Sequence, residues 1–265
     1  MILGNYHVHT TMSDGSFTPE YVVESAISAG LSEIGIADHY FTAKAGIHFV
    51  DDRDLPKYIS IIRALNKRYS KRIKVLAGLE IDSSCYNSKR SRLPFNLLNN
   101  LDYVIFEYIE DKIMGKKTKD SLRASERDEM TKMGDPYMEI GVYTLMDLIE
   151  IRKRLKCSVG LVHPNLGQNF SHYDPITLAK ILKENKIFID AYAKSRDALP
   201  LSDVTDNDWP LAKFFREIGK FSDSLKECKV EIAPGTDTHS KDNISDAITA
   251  CMKLAEHGFQ IKVFK

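Results

Sequence analysis

The chain has 265 residues, 43% of them hydrophobic, with 37 Lys and Arg against 37 Asp and Glu, so its formal net charge is zero. The apolar content excludes a disordered chain, and the balanced charge argues against a surface that coats nucleic acid or anionic membrane through a broad basic field. No run of ~20 apolar residues occurs, so no membrane span is expected. The first seven residues lack the basic region and long apolar stretch of a signal peptide. Cys85, Cys157, Cys228 and Cys251 lie far apart with no CxxC pair. They read as reduced thiols of a cytoplasmic protein rather than a disulfide frame or a zinc knuckle.

In chain order, β-strands are predicted over 1–9, 33–37, 73–81, 101–108, 157–163, 187–192 and 229–236, with helical segments between them. The strands are rich in Ile, Val and Leu and mostly lack polar alternation, as expected of parallel strands buried on both faces. Thr18-Pro19-Glu20 places an N-cap before Pro at the first helical position, and Gly30 is a stop signal. Asp174-Pro175 opens another helix in the same way, and 244–257 carries apolar residues at helical spacing before Gly258. The run 259–264 reads as a short extra strand. Seven strand–helix units in series predict a right-handed parallel α/β fold, either a closed barrel or an open doubly wound sheet. With no break in composition, 1–265 reads as a single domain, and about 250 residues is the usual size of one α/β barrel. The segment 110–137 is irregular and charged, with Lys112, Lys116, Lys117, Lys119 and Asp120. A solvated insertion is its plain reading, and a lid beside the active site is the alternative.

Nearly every predicted strand ends in a side chain that can bind a metal. The first ends His7-Val8-His9, the second runs into Asp38-His39, and the third carries Glu80. Glu107, His163 and Asp190 stand on the next three, and the seventh runs into Asp237-Thr238-His239. In a parallel β/α fold all these ends lie on one face, where active sites are built. His7 and His9, two apart on an extended strand, point to the same side. A single strand-end His is usually a hydrogen-bonded structural residue, and a lone HxH is a weak motif. The recurrence is what counts, because so many ionisable groups buried together need cations to neutralise them. Oxygen and nitrogen donors without thiolates suit Zn, Mn or Fe.

These residues resemble the PHP (polymerase and histidinol phosphatase) domain family. The resemblance rests on His7-Val8-His9, on Asp14 in Ser13-Asp14-Gly15-Ser16, and on Ala37-Asp38-His39. It continues through Gly78-Leu79-Glu80-Ile81 and Val162-His163-Pro164 to Gly235-Thr236-Asp237-Thr238-His239. It implies a distorted seven-stranded (β/α)7 TIM-like barrel, the PHP fold, that holds two to three divalent metal ions (Zn, Mn or Fe) and hydrolyses phosphoesters by metal-activated hydroxide attack. The family pattern assigns His7, His9, Glu80 and Asp237 to one metal, Glu80, Glu107 and His163 to a second, and Asp14, His39 and His239 to a third. Asp38 is expected to orient an imidazole. Many members carry a histidine after the fourth strand, and none occurs in this chain, so Glu107 is the candidate substitute and Glu110 the second choice.

Catalysis is expected of Asp237, His239 and Arg196, the last placed just beyond the sixth strand where a guanidinium could clamp a phosphate, with Lys194 beside it. Tyr192 is a candidate pocket residue, whereas His48, His172 and Trp209 are expected at the surface or in packing. The leading reading is a histidinol-phosphatase-like phosphatase acting on a small phosphorylated metabolite. The alternatives are a nuclease or nucleotide phosphodiesterase of the same family and a non-catalytic metal-binding module. Zero net charge counts against extended nucleic acid, and neither the oligomeric state nor the exact substrate follows from the sequence.

Overall fold

Among the described residues, eight parallel strands lie in a single sheet in the order β1 to β8. The computed structural model describes residues 2–40, 47–82, 93–107, 144–193, 209–240 and 243–264. The strands are β1 (Gly4–Asn5), β2 (Glu33–Tyr40), β3 (Lys74–Asp82), β4 (Tyr103–Glu107), β5 (Ser158–Leu161), β6 (Ile187–Tyr192), β7 (Glu231–Gly235) and β8 (Gln260–Ile261). Described helices stand between them: α1 (Pro19–Ala29), α2 (Leu55–Tyr69), α3 (Phe95–Leu98), α4 (Leu145–Arg154), α5 (Leu166–Asn169), α6 (Pro175–Glu184), α7 (Ala212–Ile218), α8 (Ser222–Glu227) and α9 (Asp246–Glu256).

The local signals act as the sequence suggests. Thr18 caps α1 by accepting a hydrogen bond from the Tyr21 amide, and Gly30 ends it at φ 87°, a left-handed conformation that glycine adopts without steric cost. Asp174 caps α6 through the Thr177 amide at 3.0 Å. The expected last helix is α9, and the expected tail strand is the short β8.

Two apolar layers sandwich the sheet. Val, Ile and Leu on its outer face pack against the helices, while Ala37, Leu76, Tyr103, Ile105, Val162, Phe188, Ala233 and Phe264 fill its interior together with Tyr6. Full burial of side chains such as Ile105 and Phe188 stabilises by roughly 1.5–3 kcal/mol each. Period-two alternation then carries these inward positions upward into ionisable ones: Ala37 leads to His39, Leu76 to Glu80 and Asp82, Ile105 to Glu107, and Phe188 to Asp190. The barrel thus has an apolar plug at its base and a polar mouth at the strand C-termini.

The first strand departs from expectation. Only Gly4–Asn5 pairs regularly, with β2, while Tyr6 to His9 forms a seam between two neighbours. The Tyr6 amide donates to Pro234 O (2.8 Å), the Asp237 amide to His7 O (2.8 Å) and the His9 amide to Thr238 O (3.0 Å), and the Ala37 amide donates to Val8 O on the other side (2.9 Å). These bonds bring the first and seventh strands together and make the sheet a distorted β/α barrel, with β8 added beside β7 at the base. The Asn5 side chain reinforces the seam by donating to Thr236 Oγ1 at 2.7 Å and accepting from the Thr236 amide at 3.2 Å.

Candidate metal centre

The seam and the strand ends deliver their polar side chains to one place. His7 Nε2 and His9 Nε2 lie 3.1 Å apart, Asp237 Oδ1 lies 3.2 Å from each, and Glu80 Oε2 lies 3.4 Å from His7 and 3.1 Å from His9. Four donors around a cation with bonds of about 2.0–2.1 Å are separated by tetrahedral edges of about 3.3 Å. The distances given match such edges, and all four ligand atoms lie within 4.8 Å of one another, so these residues fit a divalent metal. His7 and His9 are wholly buried and Glu80 nearly so. His9 Nδ1 and Glu80 Oε1 are buried without a hydrogen bond, the condition expected of groups prepared for a cation.

Two further donor groups adjoin this one. His9, Asp14, His39 and His239 form one, and His39, Glu80 and Glu107 the other, each with ligand atoms within 4.8 Å of one another. Register explains the second group, because His39 pairs with Glu80 across β2 and β3 and Glu107 lies on β4 beside Asp82 of β3. His39 Nδ1 is 3.2 Å from Glu80 Oε2. His163 borders that group, with Nε2 at 3.5 Å from Glu80 Oε1 and 4.0 Å from Glu107 Oε1. Both His39 and His163 thus stand beside the Glu80–Glu107 pair. Asp14 is 3.4 Å from His9, 3.6 Å from His39 and 3.3 Å from His239.

Electrostatics match the packing. Burial opposes charging His7, but Asp237, Glu80 and Asp190 outweigh it and push its pKa up to about 10. His9 is raised in the same manner, against burial, by Asp14, Asp237 and Glu80. Burial would raise Asp14, Glu80 and Asp237, yet the surrounding imidazoles hold all three well below the usual carboxylate range. Backbone geometry adds to the arrangement: His163 and Asp237 adopt positive φ, 26° and 50°, a region that costs a non-glycine residue free energy and is concentrated at functional sites.

Around the donors, other groups fix orientation. Asp190 Oδ2 accepts from His7 Nδ1 at 3.1 Å, which leaves the Nε2 lone pair facing the cluster. His239 Nδ1 sits 2.9 Å from the Asp237 carbonyl, so its Nε2 faces Asp14. Asp38 makes its hydrogen bonds elsewhere than the sequence suggests. It accepts from the Thr10 amide (2.7 Å), the Thr10 hydroxyl (2.8 Å) and the Ser13 hydroxyl (2.5 Å), and so anchors the loop that presents Asp14. Burial raises the Asp38 pKa despite those bonds.

Tyr192 does line the mouth. Its ring meets His163 edge-on at 5.6 Å, and Lys213 Nζ lies over the ring, 5.1 Å from the centroid. Lys213 and the imidazole-orienting role of Asp190 escaped the sequence reading. Lys213 sits inside a helix where any Lys looks solvated, whereas Asp190 shares the inward, strand-end position of the others and could have been assigned by that signal. His48 and His172 are exposed, as expected. Arg196, Lys194, Glu110 and the 110–137 segment lie outside the described residues. Cys157, Cys228 and Cys251 are free thiols, and no described helix is long and apolar enough to cross a membrane.

Comparison with known proteins agrees with this architecture. The family model of the PHP domain matches residues 5–199. The chain is similar in structure to the histidinol phosphate phosphatase of Lactococcus lactis, solved with Zn, L-histidinol and phosphate. That likeness has a TM-score of 0.61 and 18% identity, and it covers 100% of this chain and 97% of that one. It is also similar to a Listeria monocytogenes protein assigned as a histidinol phosphatase, with a TM-score of 0.52, 16% identity, and 92% and 96% of the two chains covered. At such identities the likeness establishes the fold. Comparison with curated proteins gives no match.

Proposed function

Because the chain belongs to the PHP domain family, we propose that it is a metal-dependent phosphoesterase that hydrolyses a small phosphate monoester, with histidinol phosphate as the first candidate substrate. The observation that carries this reading is the convergence of the His7, His9, Glu80 and Asp237 donors within 4.8 Å of one another, flanked by two more donor groups. Bound divalent cations would supply Lewis acidity and lower the pKa of an attacking water.

The remaining work belongs to the chain. His7, His9, Glu80 and Asp237 hold one cation, Glu80, Glu107 and His39 or His163 a second, and Asp14, His39 and His239 a third. Asp190 holds the His7 proton at Nδ1 and keeps Nε2 open for coordination. The aromatic wall of Tyr192 stands beside His163, and the Lys213 ammonium, 3.5 Å from Glu217, lies against that tyrosine ring, where a positive charge can meet phosphoryl oxygens. Arg196 is proposed for the same task. Lys213→Ala is expected to raise KM for monoesters several-fold with metal content unchanged, and an unaltered KM would remove Lys213 from substrate binding.

The deciding experiment measures elemental metal content together with hydrolysis of histidinol phosphate, sugar phosphates, nucleotides and a dinucleotide. Metal with monoester turnover supports the reading. Turnover of the diester alone would move it to a phosphodiesterase, and metal without any turnover would overturn it in favour of a binding module.

A further inference from the structure

One peptide of the seam is held differently from its neighbours. The Tyr6 amide, the His7 and Val8 carbonyls and the His9 amide all bond to backbone groups of β2 or of β7 and its continuation. The peptide between Tyr6 and His7 bonds to side chains instead. Its carbonyl accepts from the Tyr103 hydroxyl at 2.7 Å, and its N–H donates to Asn5 Oδ1 at 3.3 Å. Tyr103 belongs to β4, three strands away, and is fully buried. Its phenol crosses the apolar plug to reach the first strand just where that strand leaves its pairing with β2. Gly35 and Gly78 clear the path, because a Cβ at either position would strike the Tyr103 ring. Phe188 and Phe264 brace the same ring, with centroids 6.4 and 5.0 Å away.

Volume alone would be met by phenylalanine, so the hydroxyl has work of its own. A buried carbonyl left without a donor is costly, and the Tyr103 hydroxyl therefore fixes the rotation of the Tyr6–His7 peptide. That rotation sets the direction of the His7 Cα–Cβ bond. Asp190 then fixes the ring through Nδ1. We propose that Tyr103 is a positioning residue of the metal centre: its hydroxyl holds the Tyr6–His7 peptide and thereby sets the angle at which His7 enters the donor cluster. Tyr103 acts through the backbone and not by coordination. The inference rests on the metal-dependent reading above and concerns what holds His7 in place.

The test compares Tyr103→Phe with Ile62→Val, a methylene deletion in the buried outer layer that costs comparable stability. Tyr103→Phe is expected to lower Tm by about 2–8 °C. It is also expected to weaken zinc affinity roughly tenfold and to shift the visible absorption bands of the Co²⁺-loaded protein, which report ligand geometry. Ile62→Val is expected to lower Tm while leaving affinity and bands as in the wild type. Wild-type affinity and bands in Tyr103→Phe, whatever its Tm, would overturn the inference and leave the metal-dependent reading standing, as would an equal change of both in Ile62→Val. A wild-type protein that binds neither ion would overturn both. Should Tyr103→Phe fail to fold by circular dichroism, Asn5→Ala frees the other end of the same peptide: shifted Co²⁺ bands support the assignment, and wild-type bands refute it.

Discussion

A buried imidazole binds a metal well only when something fixes which nitrogen carries its proton. For His7 that partner is Asp190, itself buried, at 3.1 Å from Nδ1. Asp190→Asn keeps the shape but removes the charge that orients and enriches the ring. It is expected to weaken metal affinity roughly 10–100-fold without unfolding the chain, measured by competition with a chromophoric chelator. Unchanged affinity would show that His7 is held by its burial alone. Asp237, whose carboxylate touches both His7 and His9, is the more severe position. Asp237→Asn should abolish hydrolysis in a folded protein, and near-wild-type turnover would refute its place in the centre. At this scale the sequence was informative because the chemistry repeats. His7, His9, His39, Glu80 and Asp237 each sit at a strand end, and only one face of a parallel sheet can gather them. What it concealed were roles that depend on side-chain direction. Asp38 and Asp190 look alike in a string of letters, yet one anchors Thr10 and Ser13 while the other steadies an imidazole.

Elements, more than individual residues, hold the donors at fixed spacing. The strands β2, β3 and β4 carry their ligating positions, and β6 the orienting Asp190, by simple alternation, so that part of the site follows from periodicity and was legible in advance. The seam between Tyr6–His9 and the end of β7 was not. Its bonds join residues more than two hundred positions apart, and no local pattern announces that the first strand leaves regular pairing after Asn5. Gly235 shows how tight the seam is. A Cβ at that position would strike Asp190 Oδ1 and lie 2.5 Å from His7 Cβ, while the Gly235 carbonyl is held by the Ala193 amide at 2.6 Å. The strand has no room to retreat. Gly235→Ala is therefore expected to destabilise by about 1–3 kcal/mol through overpacking and to reduce metal content, because the displaced pair is His7 and Asp190. Wild-type melting and metal content would mean that the seam yields.

At the scale of the molecule, the fold concentrates five imidazoles and their carboxylates above an apolar plug, an arrangement whose stability depends on what neutralises it. In the metal-free protein His7 and His9 take that part as cations. His7, with its pKa pushed up to about 10, carries a proton at neutral pH, and His9 behaves alike. A cation must displace those protons to coordinate. The sign follows directly. Affinity for the metal rises with pH across the neutral range, and the contribution of His7 to that rise ends once pH passes about 10. Binding also stabilises the folded chain by about 1.4 kcal/mol for each tenfold excess of free metal over Kd, or about 2–4 °C in Tm per kcal/mol for a chain near this size. Chelator-treated protein should accordingly melt lower, recover on reloading with zinc, and release protons as it does so. Calorimetric titration in two buffers of different ionisation enthalpy measures that release. Zinc uptake with no proton release would mean that the ligating nitrogens were already neutral and would refute the raised pKa of His7 and His9, whereas release that shrinks as pH rises would tie the metal to the imidazole cluster.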